Sequence, residues 1–235
     1  MNNKCFEARV LTLFPEMFPG PLAYSLAGKA IEKKIWKLNT INIRDYAKDK
    51  YGSVDDEPYG GGPGMIMRPD ILGKAFDNNN PGNEWKKIVL TPRGKPLTQK
   101  KVKEISSKPG VVIVCGRYEG IDERFISSRS LDEICIGDYI LSGGESASFV
   151  IIDTILRLLP NVLGNNMSKN DESFENALLE YPQYTKPQIC EKKKVPEVLL
   201  SGDHAKIKDW RLSQSEVITR DRRPDLWQKY IKNKK

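Results

Sequence analysis

The chain has 235 residues, 39% of them hydrophobic and 29% charged, which is ordinary for a soluble globular protein and suits one large domain or a medium domain with a small appendage. Lys and Arg outnumber Asp and Glu by 38 to 31, for a net charge of +7. The first apolar stretch carries Glu7 and Arg9 behind Lys4, which is wrong for a secretory leader. The longest apolar run, Phe149 to Leu159, contains Asp153 and Arg157 and is too short to span a bilayer. Cys5, Cys115, Cys135 and Cys190 form no C-x-x-C pair, and His204 is the only histidine, so neither a zinc site nor a disulfide framework is expected. Four scattered thiols suit a reduced, cytoplasmic protein.

In chain order, β-like runs are expected at Ala8 to Phe14, Leu38 to Ile43, Lys87 to Thr91 and Gly110 to Cys115, with a further apolar segment at Glu133 to Ile136. The fourth, Gly-Val-Val-Ile-Val-Cys, is apolar throughout, as a strand covered on both faces should be. Helical stretches are expected at Pro21 to Lys34, Pro69 to Asn78, Thr98 to Ser107 and Glu145 to Leu159, the last stopped by Pro160. Strands alternating with helices of this length predict an α/β fold, a mostly parallel sheet with helices on both faces, over residues 1–163. Residues 164–173 are polar and aperiodic and read as a flexible interdomain linker. A small α-helical domain is expected over 174–235: a short helix at Phe174 to Tyr181, a basic amphipathic helix from Asp203 to Arg222, and a last short helix from Pro224.

Basic charge is concentrated at this end. From His204 to Lys235 there are ten Lys or Arg against four Asp or Glu. Such a stripe suits a polyanion, with Lys206, Lys208, Arg211 and Arg220 as candidate phosphate contacts. A solvated helix face with a basic tail is the alternative. Trp210, Trp227 and Tyr230 are expected to pack the small domain rather than stack on bases.

Three glycine-rich segments stand out: Asp55 to Met65, Cys115 to Arg124 and Ile136 to Glu145. None contains G-x-x-x-x-G-K-[ST], and no G-x-G-x-x-G follows the first strand, which argues against a P-loop or an ordinary dinucleotide site. The second and third follow apolar strands, where ligands of α/β sheets bind. Neither carries a Lys or hydroxyl placed for phosphate. A wall of backbone amides suits an uncharged purine better than a triphosphate.

In order, the three segments resemble the motifs of the bacterial tRNA (guanine-N1)-methyltransferase family, a member of the SPOUT class of knotted methyltransferases. Leu13-Phe14-Pro15-Glu16-Met17-Phe18, Leu159-Pro160-Asn161-Val162-Leu163-Gly164 and Val198 to Ala205, continuing into Trp210-Arg211 and Gln214-Ser215, match as well. The resemblance implies a deep trefoil knot in the N-terminal domain and a homodimer. It implies S-adenosylmethionine as methyl donor, tRNA as partner, no membrane and no DNA. The implied substrate is the guanosine 3′ of the anticodon, position 37. By motif match the donor contacts are Leu90, Thr91 and Pro92; Gly116, Tyr118 and Gly120; and Ile136, Gly137, Asp138, Tyr139, Ile140, Leu141, Gly143 and Gly144. Cys135 stands where relatives often have serine, and Tyr51-Gly52-Ser53 where they usually have a basic residue or histidine.

The same resemblance gives Arg157 as the cation facing guanine O6 and Glu119 as the residue holding the guanine edge. It implies Mg²⁺ as a cofactor, although no metal-binding pattern is visible. The chain departs from the family at the general base. Relatives place an aspartate directly before Ser-Phe; here Ser173-Phe174 follows Glu172, with Asp171 one residue earlier. Asp171 is favoured because its reach equals that of the family base, and Glu172 is the alternative. The linker is expected to act as a lid that orders when tRNA docks. Asp171→Asn is therefore expected to lower turnover far more than Glu172→Gln, with donor affinity intact in both. The opposite ranking in single-turnover assays moves the base to Glu172.

Overall fold

The structure is a computed structural model that describes residues 5–163, 174 and 177–234. The chain divides into two compact units, Met1–Gly164 and Asn165–Lys235. Strands of the first unit are β1 (Phe6–Thr12), β2 (Trp36–Asn42), β3 (Asp55–Asp56), β4 (Ile66–Met67), β5 (Lys86–Pro96), β6 (Gly110–Cys115) and β7 (Asp132–Cys135). Its helices are α1 (Ser25–Glu32), α2 (Pro69–Asn79), α3 (Gln99–Ser106), α4 (Glu123–Ser128) and α5 (Gly144–Leu156). Five strands form one sheet in the order β2-β1-β6-β5-β7, every neighbouring pair parallel. Strands β3 and β4 form a separate antiparallel hairpin.

Strand parity explains the layers. All six residues of β6 are buried. Val111, Ile113 and Cys115 point to one face, where they meet Ala27 and Ala30 of α1, Val102 and Ile105 of α3, and Ile151, Ile152 and Ile155 of α5. Val112 and Val114 point to the other, against Ile71, Leu72 and Phe76 of α2 and Phe125 and Ile126 of α4. The central strand is thus sandwiched, and burying each such Val or Ile contributes about 1.5–3 kcal/mol. On the first face the Trp36 indole N–H donates to the Ala27 carbonyl at 2.9 Å, fixing α1 to β2.

Helix boundaries follow capping chemistry. The Thr98 hydroxyl accepts from the Lys101 amide at the start of α3, and the Asp122 carboxylate accepts from the Arg124 amide at the start of α4. Pro69 sits in the first turn of α2. The helix expected from Pro21 to Lys34 is two elements, a 3₁₀ turn over Gly20–Ala23 and then α1. Tyr24 between them is extended. The turn is folded back so tightly that a Cβ on Gly28 would lie 2.1 Å from the Ala23 carbonyl oxygen.

The second unit holds a hairpin of β8 (Ile189–Cys190) and β9 (Lys193–Lys194), then α6 (Glu197–Leu200), α7 (His204–Arg222) and α8 (Pro224–Lys234). Asp203 caps α7 by accepting from the amides of Ala205 and Lys206, both at 3.1 Å. The short helix expected over Phe174 to Tyr181 is absent among its described residues. Phe174 and Ala177 have φ of 78° and 57°, and the Leu179 amide donates to the Thr219 hydroxyl of α7 instead of to its own segment. Docking on α7 has overridden local propensity.

Glu7 on β1 is a buried charge at the sheet's far end from the glycine segments. It accepts from Arg9 Nε and Lys37 Nζ, each at 2.7 Å. Burial pushes its carboxyl up, but the hydrogen bonds and charges of Lys37 and Arg9 outweigh this and hold it below its ordinary value of 4.5. The stability this contributes is complete above that value and is lost as pH falls through the lowered one. Glu7→Gln is expected to cost about 1–3 kcal/mol at pH 7. In urea titrations the gap from the wild type should shrink on acidification to about pH 4; a gap independent of pH would contradict the assignment.

Candidate functional site

Within β5 and at the carboxyl ends of β6 and β7 the chain opens into three loops. Along β5, Leu90 and Lys95 both pair with Ile134, so Thr91 to Gly94 bulge out of the ladder. A Cβ on Gly94 would stand 2.5 Å from the Ile134 amide nitrogen, so the bulge lies directly against β7. After β6 the turn at Gly116 to Ile121 contains Tyr118 at φ 57° and Gly120 at φ 126°. The Glu119 amide donates to the Met65 carbonyl at 3.0 Å, and the Met67 amide to the Gly120 carbonyl at 2.9 Å. These bonds bring the first glycine segment onto the second. The third segment follows β7 and returns to the second, with the Gly144 amide donating to the Gly116 carbonyl at 2.9 Å. A Cβ on Gly144 would lie 2.7 Å from the Cys115 Cα, so backbone meets backbone there.

The loops enclose a cavity of about 350 Å³, within the range of small-molecule sites. Leu90, Thr91, Pro92, Gly116, Tyr118, Gly120, Ile136, Gly137, Tyr139, Ile140, Leu141, Gly143 and Gly144 line it, as does Glu119. Asp138 is exposed and is not among the lining residues. Motif reading overlooked Arg93, Arg117, Ser142 and Ala147 in the wall. The two arginines were visible beside the glycines, but nothing in the spacing said which way they turn.

The wall's charges are arranged unevenly. Arg93 pairs with Glu123, and with Glu133 at 2.8 Å. Arg117 Nε donates to Glu145 Oε2 at 2.8 Å, and the Thr12 hydroxyl donates to the other oxygen at 2.6 Å. Glu145 is fully buried at the first turn of α5, where the helix dipole also favours an anion. Glu119 is exposed and makes no ion pair among the described residues. Both cations in the wall are therefore neutralised and one carboxylate is not, a balance that favours a cationic ligand. Two thiols lie nearby. Burial, with the Glu145 charge beside it, pushes Cys115 well above its ordinary value, and Cys135 donates to the Gly137 carbonyl at 3.0 Å.

Arg157 stands at the carboxyl end of α5. Helix α5 ends at Leu156, and the amides of Leu158 and Leu159 turn to the Ile155 and Leu156 carbonyls. Arg157 thus caps the helix; it is exposed and outside the cavity wall. Asp171 and Glu172 lie outside the described residues. Among the described residues no three His, Cys, Asp or Glu side chains are grouped to hold a metal. No described helix is long and apolar enough to cross a membrane.

In the second unit Lys206, Lys208, Arg211 and Arg220 are all exposed along α7. The Arg211 guanidinium lies 4.9 Å from the Tyr181 ring centroid. Trp210 packs on Tyr184 at 6.3 Å and Trp227 on Tyr230 at 5.5 Å. Lys192, Lys193 and Lys194, which charge counting from His204 onward had passed over, are exposed at the turn and second strand of the β8–β9 hairpin.

A family model described as "tRNA (Guanine-1)-methyltransferase TrmD" matches residues 6–229. The chain is 60% identical over 228 residues to a tRNA (guanine-N(1)-)-methyltransferase of Pelagibacter ubique (strain HTCC1062), covering 97% of this chain and all of that protein. It is 55% identical over 230 residues to a protein of the same description from Chelativorans sp. (strain BNC1), covering 97% and 98% of the two chains. Against the one from Brucella ovis the identity is 54% over 230 residues, covering 98% and 95%.

Proposed function

Since the chain belongs to the tRNA (guanine-1)-methyltransferase family, we propose that it transfers a methyl group from S-adenosylmethionine to N1 of the guanosine 3′ of the anticodon, position 37, in tRNA. The observation that carries the proposal is the cavity walled by the bulge of β5 and by the second and third glycine segments, which follow β6 and β7. Its chemistry fits the donor. Main-chain groups and apolar side chains suit adenine, no lysine waits for phosphate, and the neutralised arginines leave Glu119 facing a sulfonium. When bound, S-adenosylmethionine supplies an electrophilic methyl group.

The remaining work falls to this chain's own residues. N1 of guanine carries a proton and is a poor nucleophile. Asp171, or Glu172 in its stead, removes that proton as RNA docks and the linker closes. Negative charge then moves toward O6, where Arg157 stabilises it. Glu119, on its rigid turn at the cavity mouth, holds the guanine edge, and positioning supplies much of the acceleration. No step is assigned to Mg²⁺, because no grouping of described residues fits it.

The knotted path is part of the same proposal, supported by the return of the third loop onto the second through Gly144 and Gly116. So is the homodimer, supported by exposed Leu26 on α1 and Val150 on α5, two helices that cover one sheet face. We place the enzyme in the cytoplasm with its RNA substrate. The basic face of α7 grips phosphates while the loops take the splayed-out base.

Nucleoside mass spectrometry tests the chemistry. Unmodified tRNA carrying G37, incubated with the protein and labelled S-adenosylmethionine, should yield 1-methylguanosine, and G37→A should abolish it. A ribose-methylated product, or methylation that survives the substitution, would refute the assignment. Binding should also be salt-dependent: if α7 contacts about four phosphates, log affinity should fall against log salt with a slope of about −3 to −4. A flat dependence would remove the phosphate role from α7.

A further inference from the structure

We propose that Arg117 is a positioning residue for methyl transfer: its guanidinium fixes the spacing of the second and third glycine loops and thereby sets the affinity for the donor. The proposal rests on the cavity being the donor site.

Arg117 leaves the second loop and points under the third. Nε donates to Glu145 Oε2 at 2.8 Å, Nη1 donates to the Ser142 carbonyl at 3.2 Å, and Nη2 lies 3.8 Å from the Met17 sulfur. The guanidinium carbon stands 4.4 Å from the Phe14 ring centroid. One planar cation therefore touches the start of α5, the third loop and the segment after β1. Its direction is not adjustable. Glu145 is anchored from the other side by Thr12, whose hydroxyl also accepts from the Phe14 amide at 2.9 Å. The third loop approaches so closely that a Cβ on Gly143 would lie 2.3 Å from Nε.

Two functions of Arg117 can be separated. Its pairing with buried Glu145 concerns stability, because that carboxylate cannot stand alone. Its bond to the Ser142 carbonyl concerns the cavity, because Ser142 is part of the wall. A lysine can keep a charge opposite Glu145 but offers no rigid fork to hold both groups at once. Arg117→Lys thus loosens the third loop without baring the carboxylate. Phe14→Leu removes the face on which the guanidinium rests, from a position outside the wall.

The test is calorimetric titration of the full chain with S-adenosylmethionine, beside thermal melting and steady-state kinetics. Wild-type protein that fails to bind the donor would sink the functional proposal itself. Given wild-type binding, Arg117→Lys should melt within a few degrees of the wild type. It should bind the donor about tenfold more weakly, with KM for the donor raised and KM for tRNA unchanged. Phe14→Leu should weaken donor binding in the same direction by a smaller factor. Arg117→Lys with wild-type donor affinity would overturn the proposal. So would equal losses for donor and tRNA, or a loss that follows the melting temperature. Should Arg117→Lys not fold, Phe14→Leu decides: unchanged donor affinity there would overturn it.

Discussion

Everything at the carboxyl end of the sheet depends on one buried carboxylate. Glu145 sits at the start of α5 with no exposed surface, and its two oxygens are taken by Arg117 and Thr12. An unpaired carboxylate there would be strongly destabilising, and removing one partner of such a pair commonly costs about 3–5 kcal/mol. The end of β1, the loop after β6 and the helix after β7 are therefore committed to one another. Glycine lets them meet: Gly144 brings α5 onto the backbone of Cys115, and Gly143 leaves space for the guanidinium.

That commitment shapes the chemistry. Arg117 turns away from the cavity's contents toward Glu145, and Arg93 is occupied by Glu123 and Glu133. A site with free arginines would repel a sulfonium and attract phosphate. This one has its cations neutralised and Glu119 unpaired among the described residues. Methyl transfer from a cationic donor to a ring nitrogen needs that electrostatic profile, together with a base and a cation brought to the substrate. Exposed basic charge lies along α7 and on the β8–β9 hairpin in the second unit.

Much of the fold was legible because single residues carried strong signals. The unbroken apolar run of β6 announced a strand covered twice, and Pro69, Thr98 and Asp203 marked helix starts. The glycine segments pointed to the cavity because close backbone approach leaves a compositional trace. Other features leave none. A glutamate at a helix start looks like an ordinary dipole partner, and nothing in the string says that Glu145 is buried against an arginine from a distant turn. The helix expected to run to Leu159 ends at Leu156, because the apolar run continues past the point where the chain tightens. The segment from Phe174 had helical composition, and the Thr219 hydroxyl claimed its backbone instead.

A crystal structure of the protein soaked with S-adenosylmethionine tests the central claim most directly. The account predicts the donor between the bulge of β5 and the loops after β6 and β7, with adenine against main-chain groups and the sulfonium toward Glu119. Donor density outside these loops, or none at saturating concentration, would contradict it.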